Sequence, residues 1–301
     1  MEAVSVKNLV KIYDKDKTAV DDISFTVNRG EIFGLIGQDG AGKTSIFRVL
    51  TTLLLPNGGS ATVDGFDVVK DYKQIRSRVG YMPGKFSLYQ DLSVEENLNF
   101  FATIFNTTIA ENYHLIKDIY VQLEPFKNRR AGQLSGGMKQ KLALCCALIH
   151  KPVVLFLDEP TTGVDPVSRK EFWEILQQLK EQNITIVVST PYMDEANRCD
   201  RIAMIQSGQL LSVDTPANII KSYPEQLYAI KANNMHALLK VLQEYDQVKN
   251  SYAFGEFAHV SFKEPKFNPD QAVIYLETKG LQDIELIKTE VTIEDCFIKL
   301  L

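Results

Sequence analysis

Residues 31–50 run EIFGLIGQDGAGKTSIFRVL: a short apolar stretch, a glycine-rich turn and the opening of a helix. Residues 32–36 have the character of a buried strand, and from Gly37 the chain must turn sharply with no side chains in the way. Gly37, Gly40 and Gly42 give that freedom and leave backbone N–H groups free to point into one concavity. A helix beginning near Gly42 adds its unpaired amides to the same place, which favours an anion. The spacing G-x-x-x-x-G-K-T puts the Lys43 ammonium within reach of β- and γ-phosphates and the Thr44 hydroxyl where it can ligate Mg²⁺. A chance glycine turn before an amphipathic helix would not carry this whole pattern between strand and helix. The stretch fits the phosphate cradle of a nucleotide triphosphatase.

The chain has 301 residues, 45% hydrophobic and 24% charged, enough for one large core with a smaller domain and unlike a disordered protein. Its formal net charge of -5 gives no reason to expect nucleic acid as the main partner, since that normally selects a basic surface. No run approaches the roughly 18 apolar residues of a spanning helix, and the N-terminus lacks a basic segment followed by an apolar one. A cytoplasmic protein is therefore expected, with docking on a membrane protein left open. Cys145 and Cys146 lie in an apolar helical run, Cys199 and Cys296 are isolated, and none has metal-ligand spacing. Reduced structural thiols are the default.

Residues 4–13 and 19–27 alternate well enough for two strands ahead of the cradle, forming a small antiparallel sheet against the core. Tyr13, on the first of them, is a candidate to stack on a nucleobase and equally a half-buried strand aromatic. Further strands are expected at 60–63 and 79–82. Ser93 opens a helix with Glu96 three residues later, the capping-box pattern. The helical but irregular stretch to about 123, broken near 106–112, suits a helical subdomain set into an α/β core.

Residues 134–149 read LSGGMKQKLALCCALI. Ser135 can cap a helix whose N-terminal amides lie exposed beside Gly136 and Gly137, a second place for phosphate. Leu142, Cys145, Cys146 and Ile149 are expected to form its buried side, with Lys139 and Lys141 solvated. Residues 153–157 are the clearest buried parallel strand, ending in Asp158 and Glu159 where ligands of open sheets bind. Asp158 is placed to hold the Mg²⁺ shell and Glu159 to polarise an attacking water. With Lys43 and Thr44 they would supply the charge compensation and oriented nucleophile that phosphoryl transfer needs. A helix over 167–181 should bury Phe172, Ile175, Leu176 and Leu179, with Trp173 as packing. A strand at 184–189 and a hairpin around Ser207-Gly208 follow.

This ordered set of motifs resembles the nucleotide-binding subunit of an ATP-binding-cassette (ABC) transporter over about residues 2–220. The segment 37–44 stands as Walker A, 134–137 as the signature, 154–159 as Walker B, and the turn around Asp165 as the D-loop. The resemblance implies a P-loop α/β cassette that takes ATP and Mg²⁺. Two such cassettes stack head to tail, as a homodimer or with a related cassette. Each ATP would be held by Tyr13, Gly37, Asp39, Gly40, Ala41, Gly42, Lys43, Thr44 and Ser45 of one copy and by Ser135, Gly136 and Gly137 of the other. Metal would fall to Thr44 and Asp158, and catalysis to Glu159, Lys43 and Asp158. Asp39 stands where the family usually has asparagine, and its side chain is expected to point away from the phosphates.

Two departures stand out. Gly84 occupies the place of the Q-loop glutamine, and Pro191 that of the switch histidine, whose side chain approaches the γ-phosphate. Proline has no side-chain donor or acceptor. Nucleotide and Mg²⁺ binding with slowed or partner-dependent hydrolysis is the expectation, unless backbone, water or Tyr192 compensates.

After Pro216 and Pro224 the pattern restarts as strand, helix, two strands, helix, strand and a last helix from Thr292. The order βαββαβ predicts a ferredoxin-like domain over 221–301, behind a cassette over 1–220 with its helical subdomain at about 88–150. The closing ELIKTEVTIEDCFIKLL resembles the tail of bacterial drug, polysaccharide and multicomponent export ATPases, in which the extra domain holds or regulates the dimer. A metal role for His236 or His259 would need partners that the sequence does not reveal.

An export ATPase on the cytoplasmic face of the bacterial inner membrane, held there by a permease, fits these features best. Residues 86–89 and the helical subdomain would form its docking face. A soluble ABC ATPase of repair or ribosome function, disfavoured by the acidic balance and the tail, and a nucleotide-gated regulatory subunit are the alternatives.

Overall fold

The computed structural model describes residues 1–14, 17–85, 87–264 and 267–301. The chain divides into two compact units, Met1–Pro216 with Leu300–Leu301, and Ala217–Lys299.

The first unit opens with β1 (Glu2–Tyr13) and β2 (Lys17–Asn28), the buried β3 (Ile32–Ile36) and α1 (Lys43–Leu50). There follow β4 (Gly58–Val63), β5 (Phe66–Asp67), α2 (Tyr72–Arg76) and β6 (Val79–Met82). A helical stretch holds α3 (Val94–Ile104), α4 (Ile109–Tyr120) and α5 (Gly136–Leu148). The chain returns with β7 (Val154–Asp158), α6 (Pro166–Glu181), β8 (Thr185–Thr190), β9 (Arg201–Gln206) and β10 (Gln209–Asp214).

Two sheets result. One is antiparallel, in the order β2-β1-β4-β5, and the other runs β10-β9-β3-β8-β7-β6. The second sheet is parallel except for β10 on β9. Strands covered on both faces read as continuous apolar runs, and β3 and β7 are buried at every position. The core between the sheets holds Phe25 stacked on Phe33 and Phe47 meeting Phe156 edge to face at 5.7 Å. Such aromatic pairs contribute about 0.5–1.5 kcal/mol beyond their buried area.

The helical stretch is fixed at its starts. Ser93 and Thr108 both form capping boxes, with Glu96 and Glu111. Asn112 leaves helical geometry at φ -112 and donates to Ile149 O at 2.8 Å, so the irregularity expected near 106–112 is used to tie α4 to the end of α5. The fully buried Asn97 donates to the carbonyls of Tyr89 and Ser93 and accepts from Tyr89 N, which sets the loop before α3.

The change of unit falls within α7 (Pro216–Lys221). The second unit contains β11 (Leu227–Lys231), α8 (Met235–Glu244), β12 (Val248–Phe254), β13 (Phe257–Phe262), α9 (Asp270–Thr278), β14 (Glu285–Thr289) and α10 (Ile293–Leu300). Its antiparallel sheet, ordered β12-β13-β11-β14, has the ferredoxin-like arrangement, with Leu238, Leu242, Ala272 and Leu276 of α8 and α9 in its core. Asp295 on α10 accepts from Tyr252 Oη at 2.8 Å, lies 2.6 Å from His259 Nδ1, and caps its own helix through Thr292. His259 is therefore engaged with a carboxylate, and no cluster of three metal-type side chains occurs among the described residues.

Candidate active site

The turn after β3 works because its glycines cannot be replaced. A Cβ on Gly37 would fall 2.1 Å from the Ile205 carbonyl oxygen, and one on Gly42 would fall 2.2 Å from that of Ala19. Gly42 caps α1 with left-handed backbone at φ 105, and Gly40 is also left-handed at φ 81. The resulting cleft, about 430 Å³, is floored by residues 40–45 and bounded by Tyr13 and Glu159. Tyr13 is half-buried, its hydroxyl 3.2 Å from Ser45 Oγ. Asp39 is exposed and does not line the cleft.

The order β3-β8-β7 gathers the polar groups at the carboxyl ends of parallel strands. Lys43 Nζ donates to Gly37 O at 2.7 Å and Gln38 O at 3.0 Å and lies 3.1 Å from Glu159 Oε1. Phosphate oxygens entering the cradle would meet this buried cation among exchangeable oxygen partners. Asp158 Oδ1 accepts from Thr44 Oγ1 at 3.2 Å and from Ser189 Oγ at 2.7 Å. Glu159 sits in left-handed backbone at φ 51, with its N–H on Ser189 O at 3.1 Å and Ser189 Oγ at 3.0 Å. Ser189, which the sequence reading did not single out, thus holds both acidic residues. Burial, with the Asp158 charge nearby, pushes the Tyr81 phenol up to about 12 and keeps it neutral.

Residue 84 lies against this centre, because a Cβ there would stand 3.0 Å from Asp158 O. As glycine it brings no side chain to it. The turn at Pro191 is held from behind. The buried Glu195 accepts from Thr190 Oγ1 at 2.6 Å and Thr161 Oγ1 at 3.1 Å on one oxygen, and from Arg169 Nη2 at 2.9 Å on the other. Tyr192 donates its N–H to Thr190 Oγ1, and its ring lies 4.2 Å from the Arg169 guanidinium. Its aromatic face is thus engaged by α6. No local pattern announces Glu195, whose partners lie up to 34 residues away.

Ser135 caps α5 by accepting from Met138 N at 3.3 Å. Ser135, Gly136 and Gly137 do not line the Lys43 cleft; Gly137 instead packs against α6, where a Cβ on it would meet Ser168 Oγ at 2.8 Å. Lys141 corrects the sequence reading, which left it solvated. It is only 7% exposed, bonded to Glu171 Oε2 at 2.6 Å and to Gln122 Oε1. The helix turns it towards α6 and the turn after α4, where Glu171 and Gln122 replace water.

Comparisons with known proteins place the chain among ATP-binding cassettes. A family model described as ABC transporter matches residues 20–162. The probable multidrug ABC transporter ATP-binding protein YbhF of Escherichia coli is 38% identical over 290 residues, 95% of this chain but 50% of that protein, so the chain spans about half of this relative. The Nod factor export ATP-binding protein I of a Rhizobium strain is 34% identical over 95% of this chain and 92% of its own length. A solved ATP-binding subunit of an ABC transporter superposes with a TM-score of 0.67 at 27% identity, covering 73% of this chain and 93% of that one.

Proposed function

The chain belongs to the ABC transporter ATP-binding family, an ATPase family whose cassettes dimerise and pair with permeases, and from that premise we propose that it drives export. It binds Mg-ATP between two head-to-tail cassettes, a second copy or a related chain, and couples binding and hydrolysis to a membrane permease.

The observation that carries this reading is the convergence of Lys43, Thr44 and Glu159 on one cleft, with the buried Asp158 bonded to Thr44 beside it. Thr44 and Asp158 offer hard oxygen donors on facing elements, which fits Mg²⁺, and these two would hold it. Bound there, Mg²⁺ supplies charge compensation to the phosphates. Lys43 adds a buried positive charge at the β- and γ-phosphates, and Glu159 accepts a hydrogen bond from the attacking water. Tyr13 packs on the base, and Gly37, Gly40, Ala41, Gly42 and Ser45 surround the phosphates, while Asp39 belongs to the same loop but lies on its exposed side. Ser135, Gly136 and Gly137 serve the site of the partner cassette.

Hydrolysis is slowed, because Gly84 and Pro191 leave the attacking water without two of its usual neighbours. The engagement of Tyr192 by Thr190 and Arg169 supports this, since it draws the nearest candidate substitute toward α6. Residues 1–220 act as the cassette, with a helical subdomain at about 88–150, and the ferredoxin-like 221–301 holds or regulates the dimer. The permease docks beside the helical subdomain, at an apolar cleft of about 420 Å³ that includes Met82, Leu88, Phe101 and Ile104. Tyr89, ring to ring with Phe100 at 4.8 Å, extends that face, while Phe86 lies outside the described residues. Among the described residues no helix is long and apolar enough to cross a membrane. The proposed place of the chain is the cytoplasmic face of the bacterial inner membrane, held there by the permease. The multidrug and Nod-factor relatives favour an exported cargo.

The test is ATP turnover by the purified complete complex beside its Glu159→Gln version. Turnover that falls about 10²-fold or more supports catalysis at this site. Equal rates would overturn it.

A further inference from the structure

Lys141 lies outside the cleft, yet it is buried and makes two polar bonds to separate segments, to Glu171 on α6 and to Gln122 just beyond α4. Its position within α5 is informative. Gly137, one turn earlier on the same face, approaches α6 so closely that a Cβ would stand 2.8 Å from Ser168 Oγ. Glu171, which receives Lys141 at 2.6 Å, lies three residues beyond Ser168 on α6. The two contacts run along one line between the helices, the glycine allowing the approach and the ion pair fixing how far α5 slides or rotates. At the head of that line Ser135, Gly136 and Gly137 present the N-terminal amides of α5. α6 begins beside them, with Asp165 Oδ1 accepting from Ser168 N at 3.0 Å.

We propose that Lys141 is a positioning residue: through Glu171 and Gln122 it sets the signature turn for the γ-phosphate held by the partner cassette. This rests on the head-to-tail reading given above. Lys141 touches no nucleotide itself. Its effect falls on the site completed by the other chain and spares the cradle of its own. Glu171 is half-exposed, its side chain 44% accessible, so removing the lysine charge leaves an anion that water can solvate. Lys141→Met should therefore fold.

The experiment uses the full chain carrying Glu159→Gln, so that bound ATP persists. ATP-driven dimerisation is followed by light scattering against Mg-ATP concentration. ADP affinity, which reports the cradle of one chain alone, is measured by calorimetry. Lys141→Met is expected to raise the ATP concentration for half-dimerisation by about tenfold while ADP affinity stays within about twofold, a split that general loosening of the fold would not produce. Glu171→Gln should act in the same direction, the double variant should be no worse than Lys141→Met alone, and Lys141→Arg should recover most of the loss. Unchanged dimerisation in Lys141→Met, additive effects of the pair, or an equal loss of ADP affinity would each overturn the proposal. Failure of the Glu159→Gln chain with Lys141 intact to dimerise with ATP would instead overturn the head-to-tail pairing of two copies of this chain, and this inference with it.

Discussion

Replacing Glu195 by alanine removes one carboxylate that receives four hydrogen bonds. Thr190 and Thr161 donate to one oxygen at 2.6 and 3.1 Å, and Arg169 donates twice to the other, at 2.9 and 3.1 Å. The donors do not suffer equally. Arg169 has a side chain 22% exposed and keeps Asp194 at 3.3 Å, so it can be resolvated and its share must be discounted. The two threonines are at most 1% exposed, and water reaches them only through the space that truncation opens. Each unmatched buried hydroxyl costs about 1–3 kcal/mol, and breaking a buried pair from one side costs about 3–5 kcal/mol. Glu195→Ala should therefore destabilise the cassette by about 3–5 kcal/mol, and Glu195→Gln, which keeps one acceptor oxygen, by roughly half of that. The single tryptophan, Trp173, is buried on α6 one turn beyond Arg169 and reports this region in urea unfolding. With a urea slope of about 1–3 kcal/mol/M, the midpoint should drop by at least about 1 M. A midpoint within about 0.3 M of the parent, or a glutamine variant weaker than the alanine one, would refute the reasoning.

Gly37→Ala places a methyl 2.1 Å from the Ile205 carbonyl, a backbone group that cannot step aside, so the cradle must shift. ATP affinity by equilibrium dialysis should fall by about 10²-fold, a loss of roughly 2.7 kcal/mol, and a change of less than threefold would contradict that geometry. Asp295 gives a pH prediction. Burial alone would raise its pKa, but hydrogen bonds from His259, Thr292 and Tyr252 outweigh that and hold the carboxyl below its ordinary value. A group depressed in the folded state contributes stability above its unfolded pKa, about 3.9, which is lost as pH falls through the lower folded value. The parent should lose stability in acid below about pH 4, and Asp295→Asn should show a flatter profile there in urea titrations. Parallel profiles would remove Asp295 as the cause.

What was legible beforehand, and what was not, divides by the range of the interactions. The strands at Ile32–Ile36 and Val79–Met82 begin and end where the sequence reading puts them. The capping box of Ser93 with Glu96 closes within three residues, so its letters suffice. The glycine loop is equally local. By contrast, Lys141 meets Glu171 30 residues away, Arg169 meets Glu195 26 away, and His259 meets Asp295 36 away. A lysine on a helix is solvated by default, and only the packing of α5 on α6 and α4 reverses that for Lys141. Ser189 was hidden for a related reason. It lies next to the end of an ordinary apolar strand, and only the placement of β8 between β3 and β7 brings its hydroxyl to Asp158.

On the proposed reading, the two departures and the retained groups weigh on different steps. A contact made to the bound phosphates adds to substrate and transition state alike and is felt in KM, whereas one that orients the attacking water is felt in kcat. Gly37 and Thr44 are of the first kind, Lys43 and Asp158 serve both, and all four are set within one chain. Positions 84 and 191 belong to the second kind and carry no polar side chain, while Glu159 remains and is held at the backbone by Ser189. On that proposal the site holds nucleotide as an ordinary cassette does and cleaves it slowly until something else places the water. The closing partner reaches the site through the Ser135 turn, so the setting of that turn by Lys141 bears on when cleavage occurs. Binding is thus, on the proposed reading, a property of this chain and turnover a property of the assembly.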